Sequence, residues 1–121
     1  MTPRITSAYV TVLDMRRAVA FYESLFQTRV SDLQDRMSSF VWDTFTLLLY
    51  DPKQDGVEPM FGDNVVLNIE VDDVATTFAS LEQAGCKVVV PITTVDPDVF
   101  FQVQDTEGNT LEFYQVVGDR P

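Results

Sequence analysis

The sequence predicts an α+β fold made of two tandem modules, each a small sheet backed by one helix. Three observations carry this. The order strand, helix, three strands can be read twice along the chain. In both copies an alternating run comes first, followed by an aspartate and then apolar residues at helical spacing. The runs "VWDTFTLLLY" (41–50) and "VQDTEGNTLEFY" (103–114) also share V-x-D-T, a turn, and T-L-x-x-Y, the second with two extra turn residues including Gly108.

In the first copy, "SAYVTVLD" alternates Ala8, Val10 and Val12 against Ser7, Tyr9 and Thr11, the pattern of a strand with one buried face. Asp14 is placed to cap a helix in which Met15, Ala18, Phe21, Tyr22 and Leu25 recur on one side. The pieces "TRVSDL", "SSFVWD" and "FTLLLYD" read as three short strands broken by polar turns. Module one therefore spans 4–51. The proline- and acid-bearing stretch "DPKQDGVEPMFGD" reads as a linker over 52–63.

Module two spans 64–117. "NVVLNIEVDD" alternates Val65, Leu67, Ile69 and Val71 against Asn64, Val66, Asn68 and Glu70. "DDVATTFASLEQAG" predicts a second helix with an aspartate cap and a terminal Gly85. Strands follow near "KVVVPI", "VFFQVQD" and "TLEFYQV". Neither module buries its sheet comfortably alone, so the pair is expected to act as one domain.

Composition narrows the function classes. Residues 1–51 hold 6 acids and 5 bases, whereas residues 52–121 hold 13 acids and 3 bases, so the net charge of −11 belongs almost wholly to the second half. Such a field repels phosphate backbones and attracts cations, which argues against a nucleic-acid partner. No apolar run reaches a membrane span and the N-terminal residues lack a leader pattern, so a cytoplasmic protein with no membrane partner is expected. Without histidine no Ser-His-Asp or Cys-His arrangement exists, and Lys53 and Lys87 remain the only lysines that could act as amine catalysts. Cys86, the single cysteine, reads as a small buried hydrophobe, since a nucleophilic thiol needs a histidine or a cation to lower its pKa.

Alternation divides the strand residues between two faces. Ala8, Val10, Val12, Leu47, Leu49, Val65, Leu67, Ile69, Leu111 and Phe113 are expected under the helices. The opposite face then carries Ser7, Tyr9, Leu48, Tyr50, Val66, Asn68, Glu112 and Tyr114, and counting by two adds Phe40, Trp42, Phe100, Gln102 and Gln104. Aromatic walls with a few polar groups suit a small-molecule site, although the same aromatics could simply fill space. One carboxylate among rings suits a cationic aromatic ligand, with Glu112 supplying the counter-charge. Glu112 is equally readable as a general base or as a strand residue tied to its neighbours.

Three stretches, "VTVLDMRRAVAFYESLF", "NIEVDDVATTFASLEQAG" and "VQDTEGNTLEFYQ", resemble the vicinal oxygen chelate superfamily, which includes glyoxalase I, bleomycin resistance proteins and extradiol dioxygenases. The last is similar to that family's D-x-x-G-N-x-x-E ending. The resemblance implies two tandem βαβββ modules curling into a cup-shaped mixed sheet with helices on its outer face, a ligand in the cup, and a homodimer. It also implies metal-ligand positions on the first and last strand of each module. Those positions hold Ser7, Leu48, Val66 and Glu112, and only Glu112 retains a carboxylate. The resemblance thus leads to no cofactor and no metal being expected.

Two readings follow. The first is a metal-independent binding protein of the bleomycin resistance type that sequesters a small aromatic ligand. The second is a lyase, isomerase or dioxygenase relative centred on Glu112. A third class, an interaction module whose cup closes on dimerisation and binds nothing, predicts no stabilisation by ligands.

Overall fold

The computed structural model describes residues 1–62 and 65–117. The chain divides into two compact units, Met1–Phe61 and Gly62–Pro121. Asn64, which the alternation puts at the start of the second module, lies outside the described residues.

In the first unit, β1 (Ser7–Thr11) runs into α1 (Met15–Phe26), followed by β2 (Met37–Val41) and β3 (Thr46–Tyr50). The sheet order is β1-β3-β2, with β1 parallel and β2 antiparallel to β3. Asp14 caps α1 as expected, its carboxylate accepting from Arg17 N, and Met15, Ala18, Val19 and Tyr22 form the buried stripe. Val12, Leu47 and Leu49 complete the core beneath.

The strand expected at "TRVSDL", first of the three after the helix, does not form. Only Asp32 makes a bridge, to Ser39. The Ser31 hydroxyl accepts from Val41 N, taking a ladder position that a backbone carbonyl would otherwise fill. After β3, a short 3-10 helix (Pro52–Asp55) occupies the start of the predicted linker, with Asp51 as its cap.

In the second unit, β4 (Leu67–Glu70) and α2 (Val74–Gln83) precede β5 (Val88–Val95), β6 (Asp98–Gln104) and β7 (Thr110–Val116). The sheet order is β4-β7-β6-β5, with β4 parallel to β7 and the rest antiparallel. Asp73 caps α2, accepting from Thr76 N, and the Gln115 side chain accepts from Val74 N at the same end. Gly85, at φ 89°, ends the segment as the sequence indicates. Phe101 and Phe113 stack with centroids 5.1 Å apart, and Phe78 of α2 meets Phe101 edge-on. Val65, expected under the helix, is instead 84% exposed, because it lies ahead of β4 and has no strand neighbour to hold it.

Each unit therefore places one helix against one sheet face and leaves the other face of that sheet without a helix of its own. No described helix is long and apolar enough to cross a membrane.

Candidate functional site

Register decides which side chains share a face. In the second unit Asn68 on β4 lies beside Glu112 on β7, Glu112 beside Gln102 on β6, and Gln102 beside Val90 on β5. The next row contains Glu70, Tyr114, Phe100 and Thr93. Leu111, Phe113, Phe101 and Val103 point the other way and are buried. Asn68, Phe100, Gln102, Gln104, Glu112 and Tyr114 thus share one face, as the alternation indicates. Val66 is half-buried and precedes β4, outside the ladder. Glu70 adds a second carboxylate to this face. The two-residue step from Asn68 was the signal for it.

Glu112 is tied to a specific partner. Its Oε1 accepts from Gln102 Nε2 at 2.9 Å, and the pair is part-buried. The alignment of these strands depends on the turn at Asp105–Asn109. The Asp105 carboxylate accepts from Glu107 N and Asn109 N at 2.8 Å each and from Asn109 Nδ2 at 2.9 Å. Gly108 takes φ 97°, a conformation a side chain would strain. The D-T-E-G-N run is therefore a turn device that sets Gln102 opposite Glu112.

In the first unit the helix-free face holds Tyr9, Leu48 and Ser39 in one row and Thr11, Tyr50 and Met37 in the next. Tyr9 and Tyr50 meet edge-on at 5.8 Å. Two site candidates belong elsewhere. Phe40 pairs with Leu47, which puts it under α1, 1% exposed and in ring contact with Tyr22 and Phe26. Trp42 lies beyond the end of β2 and folds to the same side, against Phe26 at 5.1 Å and Phe40 at 6.2 Å.

A polar cluster that the sequence did not signal borders Tyr50. Arg36 Nε donates to both oxygens of Asp55, at 2.9 and 3.1 Å, and its guanidinium stands 5.5 Å from the centroid of the Tyr50 ring. The Tyr50 hydroxyl donates to Asp55 Oδ2 at 2.7 Å. Hydrogen bonds from Arg36 and then Tyr50 hold the Asp55 carboxyl below its ordinary range, and the bond to Asp55 raises the Tyr50 hydroxyl. Residues 36, 50 and 55 meet only through folding, and no local motif announces them.

A depressed carboxyl stabilises the fold where it is ionised and the unfolded carboxyl would be too, so its contribution is present above about pH 4 and lost as pH falls through the folded value. Asp55→Asn is therefore expected to lower the melting temperature modestly at pH 7, and the gap from the parent should narrow as acid protonates the folded carboxyl. A gap of the same size at pH 2 would show that the charge is not the source.

The thiol of Cys86 is pushed up, first by burial and then by the charge of Asp105, which keeps it protonated and unreactive at neutral pH. Among the described residues no three carboxylate, thiol or imidazole side chains gather into a set that could hold a metal ion. At the four positions singled out by the resemblance, Ser7, Leu48 and Val66 offer no carboxylate or imidazole, and one oxygen of Glu112 already receives an amide. This donor set does not fit a zinc, iron or manganese centre, which takes about three or four such ligands.

The fold and the two-module order define a class, and comparison with known proteins supplies its name. The family model of the Glyoxalase/Bleomycin resistance protein/Dioxygenase superfamily matches residues 4–113, and the chain belongs to that superfamily. No protein of curated function matches. Among solved structures, a glyoxalase/bleomycin resistance protein/dioxygenase from Nocardioides is 19% identical, with TM-score 0.73 over 100% of this chain and 89% of that one. A lactoylglutathione lyase from Agrobacterium tumefaciens is 20% identical, with TM-score 0.69 over 94% of each chain. A family enzyme from Burkholderia phytofirmans PsJN is 14% identical, with TM-score 0.74 over 92% of this chain and 97% of that one. At these identities the likeness is one of fold.

Proposed function

We propose that the protein binds a small cationic aromatic compound, without a metal, on the helix-free face of its second unit. The observation that carries this reading is the half-buried carboxylate of Glu112, held by Gln102 and flanked by Asn68, with Phe100 and Tyr114 one row away. Rings beside an anionic group attract a planar cation through its face and its charge together. The second half of the chain, with 13 acids against 3 bases, adds a field of the same sign. The donor chemistry at the family's ligand positions supports metal independence.

The test is thermal unfolding of the protein with aromatic amines and amidines, with anionic thiol conjugates, and with divalent zinc, nickel, manganese and iron. A ligand at 100 times its dissociation constant adds about 2.7 kcal/mol, several degrees for a domain of this size. A shift with cationic aromatics alone is the expected result. A shift with metal, followed by turnover of a glyoxalase or dioxygenase substrate, would replace this reading with an enzymatic one. Glu112→Gln is expected to weaken the cation by about 1.5 to 3 kcal/mol in titration calorimetry, the scale of a charge-assisted bond. Equal affinity in the variant would remove Glu112 from the site.

A homodimer is part of the same proposal, and it is supported by β1 in one sheet and β4 and β5 in the other lying at the edges of the sheets of their own units.

A further inference from the structure

The Gln102–Glu112 pair carries a consequence for the kind of cation bound, and it rests on the reading just given. A carboxylate only accepts hydrogen bonds, so the Gln102 atom facing Glu112 Oε1 at 2.9 Å must be the amide nitrogen. The amide is thereby fixed in one orientation, and its carbonyl Oε1 is turned away from the carboxylate. Among the described residues no hydrogen bond links either Gln102 Oε1 or Glu112 Oε2 to a protein donor. The pair therefore offers two further acceptor atoms from neighbouring strands, one of them charged.

We infer that Gln102 is a specificity-determining residue, and that with Glu112 it selects cations bearing several N–H groups, such as amidinium, guanidinium or primary ammonium, over quaternary ammonium ions. A quaternary ion satisfies the charge of Glu112 and can lie against a ring, but it has no hydrogen to give to either oxygen. It would leave the Gln102 carbonyl without a donor in a part-buried place, which costs free energy. A planar amidinium or guanidinium presents parallel N–H groups that match paired oxygens, the arrangement that makes such hydrogen bonds strong. Anionic ligands are disfavoured by the same carboxylate. Gln102 also acts as a positioning residue, because its bond to Oε1 holds the Glu112 carboxylate at one orientation.

The experiment compares benzamidinium with phenyltrimethylammonium, each a single ring with a single positive charge, by titration calorimetry on the parent protein and on Gln102→Met. The parent should bind benzamidinium at least about tenfold tighter. In Gln102→Met, which keeps length and loses both polar atoms, that preference should fall to about threefold or less. Equal affinity of the parent for the two cations would overturn the inference and leave the charge-pairing role of Glu112 standing. A full preference surviving in Gln102→Met would overturn the role of Gln102. Failure of the parent to bind either cation would overturn both this inference and the reading on which it rests. The comparison on the parent protein stands by itself if the variant does not fold.

Discussion

Phe40→Ala is expected to lower the free energy of unfolding by about 3 to 5 kcal/mol, the cost of emptying a filled aromatic position, and to leave ligand affinity unchanged. Phe40 is 1% exposed and touches Tyr22 and Phe26 of α1, so its removal opens a cavity between that helix and β2. Trp42 stacks on the same ring and would lose its support. Urea unfolding of the variant measures the first part, and titration with benzamidinium measures the second. A loss of affinity with stability intact would return Phe40 to the ligand face, where alternation in the sequence alone would place it.

Asp105→Ala should cost about 2 to 4 kcal/mol, because the Glu107 and Asn109 N–H groups would lose their acceptor in a turn where Asp105 and Glu107 are both buried. Asp105→Asn, which keeps one oxygen, is expected to lose less. The turn sets the β6–β7 register that brings Gln102 to Glu112, so the alanine variant should also blunt the preference for N–H cations. Urea unfolding showing a change under about 0.5 kcal/mol, the range of ordinary surface substitutions, would mean the turn holds itself without the carboxylate.

Much of the fold is legible in the residues. Both helix starts are legible because an aspartate cap and a repeating apolar stripe act within one or two turns of chain. β7 is legible because Leu111 and Phe113 contrast sharply with Thr110 and Glu112. β2 is the counterexample. "MSSFV" gives little contrast, and its buried residues are Ser38 and Phe40. Ser38 tolerates burial because its hydroxyl donates to Gln34 O and accepts from Gln34 N, a local loop no alternation rule anticipates. Counting by two along the strand puts Phe40 and Trp42 together on the ligand face. Pairing with Leu47 puts it under the helix.

By itself the sequence determined the two-module plan, the caps, the faces of β1, β3, β6 and β7 and the single retained carboxylate, since each depends on neighbours a few residues away. Only the tertiary structure decided which way β2 faces, that Arg36, Tyr50 and Asp55 meet, and that Gln102 holds Glu112. Those outcomes depend on strand register and loop closure, where residues distant in the chain compete for the same hydrogen bonds. A shift of one residue would exchange every side chain between the faces.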